Sequence, residues 1–156
     1  MTKSSSKGGT PTFYKILRQS SGDLVSCVTP QFYSKKDDWV VKYQKSGMTY
    51  PKVTDSKLFV FNSLANALAF SESYWCSYAN FEVWECNAFG VSTIQPVSGL
   101  DNIPDFWHVR KNRKKINYER KHWSGSCSAE SVQLTKRLGT VPEVQDNYSR
   151  GLYNVR

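Results

Sequence analysis

Apolar and polar positions alternate from Phe13 to Arg18, break at Gln19-Ser20-Ser21-Gly22-Asp23, and resume over Leu24–Val28. This pattern predicts a hairpin with a loop of about five residues. Trp39-Val40-Val41-Lys42-Tyr43 predicts a third strand with Trp39, Val41 and Tyr43 on one face. Residues 44–57, with Gly47 and Pro51, read as a long connection. Leu58-Phe59-Val60-Phe61 is a short, wholly apolar run and predicts a buried strand. Asn62 or Ser63 then caps a helix over 63–70 that packs by a narrow stripe through Leu64, Ala67, Leu68 and Ser71.

Phe81-Glu82-Val83-Trp84-Glu85-Cys86 alternates strictly, with Phe81, Val83 and Glu85 on one face and Glu82, Trp84 and Cys86 on the other. Residues 88–94 predict a further strand, reached across a bulge at Asn87. Pro96, Gly99 and Pro104 mark 95–105 as a linker, and Ala129–Leu138 predicts an amphipathic helix stopped by Gly139. Residues 140–156 carry no clear period. The expected fold is therefore α+β, a small antiparallel sheet with one short helix over residues 13–94, flanked by extended arms at 1–12 and 95–156.

The 156-residue length fits one domain. Aromatics make up 14% of the chain, enough to build a core from few residues. A mean hydropathy of -0.54, with no apolar run near ~20 residues, excludes a membrane-spanning helix. The N-terminal Met-Thr-Lys-Ser-Ser-Ser-Lys-Gly-Gly-Thr has no apolar h-region, so a cytosol-like compartment and reduced thiols are expected. Cys27, Cys76, Cys86 and Cys127 form no C-x-x-C pair, and a Cys76–Cys86 bridge is the one pairing left open.

Charge changes the picture most. Arg110, Lys111, Arg113, Lys114, Lys115, Arg120 and Lys121 stand against one acid in that interval, Glu119, and this block supplies +6 of the formal +8. Phe106, Trp107, Tyr118 and Trp123 flank and interrupt it. Concentrated cations need solvation or an anionic partner. The partner-binding residues expected from this block are Trp107, Arg110, Lys111, Arg113, Lys114, Lys115, Tyr118, Arg120, Lys121 and Trp123. Lysines and arginines can neutralise phosphates while rings stack on bases. Tyr, Trp and Arg are equally the usual anchors between protein subunits.

The opening Tyr-Lys-Ile-Leu-Arg strand, the Trp39 strand, the Pro51 loop, Leu58-Phe59-Val60-Phe61-Asn62-Ser63-Leu64-Ala65-Asn66-Ala67 and Glu82-Val83-Trp84-Glu85-Cys86 together set a pattern. Over residues 13–94 it resembles short uncharacterised proteins of bacteriophages and large DNA viruses. The resemblance implies a viral source and a compact α+β module, and no activity.

No phosphate-loop, nucleophile-elbow, zincin or dinucleotide motif occurs in the chain. His108 and His122, the only histidines, sit among cations, and neither ligand number nor spacing makes a metal site. Glu82 and Glu85 fall on opposite faces of their strand and cannot act on one bond. Arg18 with Glu85 resembles the Arg and Glu that hold NAD in ADP-ribosyltransferase-like folds, but the His or Ser partner motifs are missing. The expectation is a non-enzymatic protein with no cofactor, metal or catalytic residue. It is a minor capsid-associated component of a virion, or of the host cytoplasm, whose basic arms clamp other protein subunits. A nucleic-acid-binding accessory protein is the alternative partner class, and a small NAD-using enzyme the third reading.

Overall fold

Two residues with positive φ close the first hairpin, Ser21 (φ 51) and Gly22 (φ 86). That left-handed pair matches the twist of the strands it joins. The loop is therefore two residues rather than about five, with Gln19 opposite Leu24 and Ser20 opposite Asp23. The computed structural model describes residues 11–27, 40–53, 56–73, 78–93 and 125–153.

Within these residues the strands are β1 (Phe13–Ser20), β2 (Asp23–Ser26), β3 (Lys42–Tyr43), β4 (Met48–Thr49), β5 (Leu58–Phe61), β6 (Phe81–Phe89), β7 (Ser92–Thr93), β8 (Ser126–Ala129) and β9 (Ser131–Thr140). Two helices join them, α1 (Leu64–Ser73) and α2 (Val141–Ser149). All pairings are antiparallel, in the order β4-β9-β6-β1-β5-β8-β7, with β2 and β3 branching from β1. The architecture is a mostly antiparallel sheet with two short helices.

Several expectations hold. β1, β2 and β6 lie where alternation put them, β5 lies on the apolar run Leu58–Phe61, and the Ser63 hydroxyl caps α1 by accepting from Asn66 N at 3.1 Å. Phe61, Leu64, Leu68 and Val83 are buried and Phe59 is half-buried. Trp39, also expected in the core, lies outside the described residues, and the third strand is reduced to Lys42–Tyr43. The long connection after it contains β4, which pairs with β9.

The C-terminal third departs most from expectation. Residues 126–149 are not an arm: β8 pairs with β5 and β9 with β6, and Val141 and Val144 of α2 are fully buried. The helix expected over 129–138 is strand β9. Val132 and Leu134 face Ala88 and Cys86 across β6, where burial on a pleated surface overrides the helical spacing. Register shifts between Val83/Trp84 and Glu85/Cys86 mark bulges that turn Leu138 to the other face. In the sequence, the i, i+4 spacing of Leu134 and Leu138 is what reads as helical. β6 runs through Asn87, opposite Gln133, without the bulge expected there; the extra residues, Thr135 and Leu138, stand on β9.

The two faces of the sheet build two cores. On one, Ile16, Phe61, Phe81 and Val83 pack against Leu64, Ala67, Leu68 and Phe70 of α1 and Val141 and Val144 of α2. The Phe61 and Phe70 rings sit 4.9 Å apart, and Gln145 Nε2 donates to Ser71 Oγ at 3.2 Å to tie the helices together. The other core draws only on strands and their flanks, including Leu17, Leu24, Val41, Tyr43, Leu58, Val60, Trp84, Cys86, Cys127, Val132 and Leu134. Residues from so many strands meet on one face because the sheet curves around it.

Candidate functional site

The basic block belongs to an insertion between two paired strands. The chain leaves the sheet after β7 and re-enters at β8, and these strands pair through Ser92 opposite Ser128 and Thr93 opposite Cys127. Residues 94–124 therefore begin and end on neighbouring strands. The return point is fixed at Gly125 (φ +76), whose carbonyl accepts from Asn62 N at 2.9 Å. Asn66 Nδ2 donates to Asn62 Oδ1 at 3.1 Å, so the start of α1 and the end of the insertion form one hydrogen-bonded unit.

The scaffold carrying this insertion is close to neutral. Its described residues hold nine Lys and Arg against seven Asp and Glu, so most of the formal +8 lies elsewhere. Trp107, Arg110, Lys111, Arg113, Lys114, Lys115, Tyr118, Arg120, Lys121 and Trp123 all lie outside the described residues, as do His108, His122 and Cys76.

Within the scaffold, polar chemistry concentrates on the strand-only face. Glu82, 4% exposed, accepts from Gln19 Nε2 at 2.6 Å, from Trp84 Nε1 at 2.9 Å and from Arg137 Nε at 3.3 Å. Burial pushes its carboxyl up, but the Gln19 and Trp84 hydrogen bonds and the Arg137 cation together hold it below the usual carboxylate range. Its charge is fully answered, which suits a structural tie between β1, β6 and β9.

Lys15 is different. It follows Phe13 and precedes Leu17 on the same face of β1, directly opposite Trp84. Its ammonium donates to the Phe59 carbonyl at 2.5 Å and lies 5.1 Å from the centre of the Tyr43 ring. Burial lowers its basicity. Burial likewise raises Tyr43 well above the ordinary phenol range and pushes the Cys86 thiol up to about 12. Sequence reasoning passed over Lys15 and Tyr43. The available signal was a lysine at an inward position of an alternating strand.

Arg18 and Glu85 share a face but not a site. Glu85 is opposite Tyr14 and Arg18 opposite Phe81, four positions apart along β1, or about 13 Å at strand rise. Glu82 and Glu85 do point to opposite faces, Glu85 pairing across to Lys136 while Glu82 meets Arg137. Among the described residues no His, Cys, Asp or Glu group is arranged to hold a metal, and no helix is long and apolar enough to cross a membrane.

No protein-family model, curated protein or solved structure matches the chain. What the protein does must therefore be argued from its own residues.

Proposed function

We propose that this protein is a non-enzymatic binding component of a larger assembly, a minor constituent of a viral particle, in the virion or the host cytoplasm. In this reading residues 94–124 engage an acidic surface of a neighbouring protein subunit. One observation carries the reading: the basic, aromatic-rich segment is spliced between two paired strands of a nearly neutral sheet. Binding residues borne on a loop between rigid elements are a common arrangement, and an insertion of this length in a small domain is more often functional than incidental. The viral setting rests on the resemblance of residues 13–94. The preference for a protein partner rests on Trp107, Tyr118 and Trp123, rings that can anchor a loop in fixed pockets while the cations meet carboxylates.

The test replaces Lys111, Arg113, Lys114 and Lys115 by Ser and leaves the rings intact. Incorporation of the variant into the assembly should fall, while nucleic-acid binding by either protein stays weak at physiological salt. Tight, sequence-tolerant binding to single strands would overturn the protein partner. The variant would then lose that binding, with a salt slope smaller by a few units, since each phosphate contact contributes about 0.9.

A further inference from the structure

The chain that follows the basic insertion is built into the middle of the sheet. β9 lies between β4 and β6 and pairs with β6 from Thr140 opposite Glu82 to Ser131 opposite Phe89. β8 lies between β5 and β7. Ala129 and Val132 are fully buried in the strand-only core, Val141 and Val144 in the helical core. Polar ties cross the same boundary. Glu82 accepts from Arg137 Nε at 3.3 Å, Ser71 Oγ from Gln145 Nε2 at 3.2 Å and the Gly125 carbonyl from Asn62 N at 2.9 Å. Each of these contacts joins a residue up to Thr93 to a residue from Gly125 onward, and none runs through residues 94–124.

The two halves therefore complete each other. Without the second, β5 and β6 lose the strands β8 and β9, and α1 loses its neighbour α2. The second half has little to hold it alone: its two strands pair with other strands rather than with each other, and its helix has nine residues. Burial of apolar surface is non-directional and needs no covalent joint. What the peptide link through 94–124 adds is proximity, by making the meeting of the halves intramolecular.

We propose that the body of this protein holds together as two chains: a cut within residues 94–124 leaves the chain up to Thr93 and the chain from Gly125 bound to each other. Hydrolysis of one peptide bond there adds one water and leaves a new carboxylate and a new ammonium, while every contact named above keeps its partner. The sequence offers a trypsin-class protease seven Lys and Arg between Arg110 and Lys121. A cut in that interval divides the basic block between the two chains without dividing the frame. This property does not depend on what the basic block binds.

A recognition sequence for a site-specific protease is inserted between Asn117 and Tyr118 of the full-length protein, and the folded protein is cut. Gel filtration at micromolar concentration should return both fragments in one peak, in equal amounts, at the volume of the uncut protein. They should part only in denaturant, and near-UV circular dichroism should be unchanged by the cut. The melting temperature of the cut protein should fall on tenfold dilution and that of the uncut protein should not, because only the first unfolds into two molecules. Should the inserted site resist the protease, co-expression of residues 1–117 and 118–156 as separate chains decides, with the untagged half expected to co-purify. Separate elution in native buffer, loss of the near-UV signal on cutting, a melting temperature of the cut protein that ignores dilution, or co-expressed halves that do not co-purify overturns the proposal.

Discussion

Gly125 and Asn62 are held against each other at the foot of the basic insertion. The Gly125 carbonyl accepts from Asn62 N at 2.9 Å, and a β-carbon at Gly125 would fall 2.3 Å from Asn62 Oδ1 and 2.3 Å from Asn66 Nδ2. Gly125→Ala must therefore push both amides aside at a φ that disfavours any side chain. The expected loss is about 1–3 kcal/mol in urea unfolding, from left-handed strain of roughly 1–2 kcal/mol and the disturbed Asn66–Asn62 hydrogen bond. Adding Asn66→Ala to Gly125→Ala should recover only the share of the clash made by Asn66, because Asn62 Oδ1 still stands 2.3 Å from the added β-carbon. A fully stable single variant would show that the two segments are not in contact.

Glu82 gives the acid response a definite sign. Its folded carboxyl is held below the ordinary range, so its contribution is present above the unfolded value and is lost as pH falls through the folded one. Glu82→Gln keeps the shape but weakens the bonds from Gln19, Trp84 and Arg137. The expected cost at pH 7 is about 1–3 kcal/mol. The gap between variant and parent should shrink as the parent is titrated to pH 3. A gap of constant size would rule out the ionised carboxylate as the stabilising species.

Cys86 acts at the other end of the pH scale. Burial raises its thiol to about 12, and the neighbouring Lys15 charge opposes that rise while Glu85 adds to it. A raised thiol contributes stability that is complete below its unfolded value and disappears as pH climbs toward the folded one. The parent should lose stability between about pH 9 and 12, and Cys86→Ala should show a shallower decline over the same range. Lys15 and Tyr43 are present in both proteins, so the difference isolates the thiol. Parallel curves would be inconsistent with a buried Cys86.

Thr140 begins α2 with a reciprocal pair of bonds. Its hydroxyl accepts from Glu143 N at 3.3 Å, and Glu143 Oε1 accepts from Thr140 N at 2.9 Å. Thr140→Ala should cost about 1 kcal/mol in chemical denaturation. Because Val141 and Val144 of this helix are fully buried, the loss should appear in the global transition rather than as local fraying.

Strands β1 and β6 and helix α1 were legible because each keeps one period from end to end, and β5 because it is an unbroken apolar run. β9 was not, because polar Thr135, Lys136 and Arg137 interrupt its alternation and leave Leu134 and Leu138 at a helical i, i+4 spacing, while its two register shifts, which put Leu138 on the other face, exist only in the fold. α2 left a readable sign that was passed over: Thr140-Val141-Pro142-Glu143 has the form of a capping box with proline in the first turn. The Lys15–Tyr43 pairing could not be read at all. It depends on curvature that brings β3 over β1, and no local pattern encodes that. The charge of residues 110–121 was plain in sequence, but its attachment at both ends follows only from the pairing of β7 with β8.

That attachment also sets how freely the segment can change over evolutionary time. Lengthening a loop whose ends already sit on adjacent strands adds little closure entropy, about 0.6 kcal/mol for each doubling. The sheet would not register such a change, since Ser92, Thr93, Cys127 and Ser128 would keep their partners. Residues 94–124 can therefore change in length and in charge between β7 and β8 while the frame on either side is inherited intact.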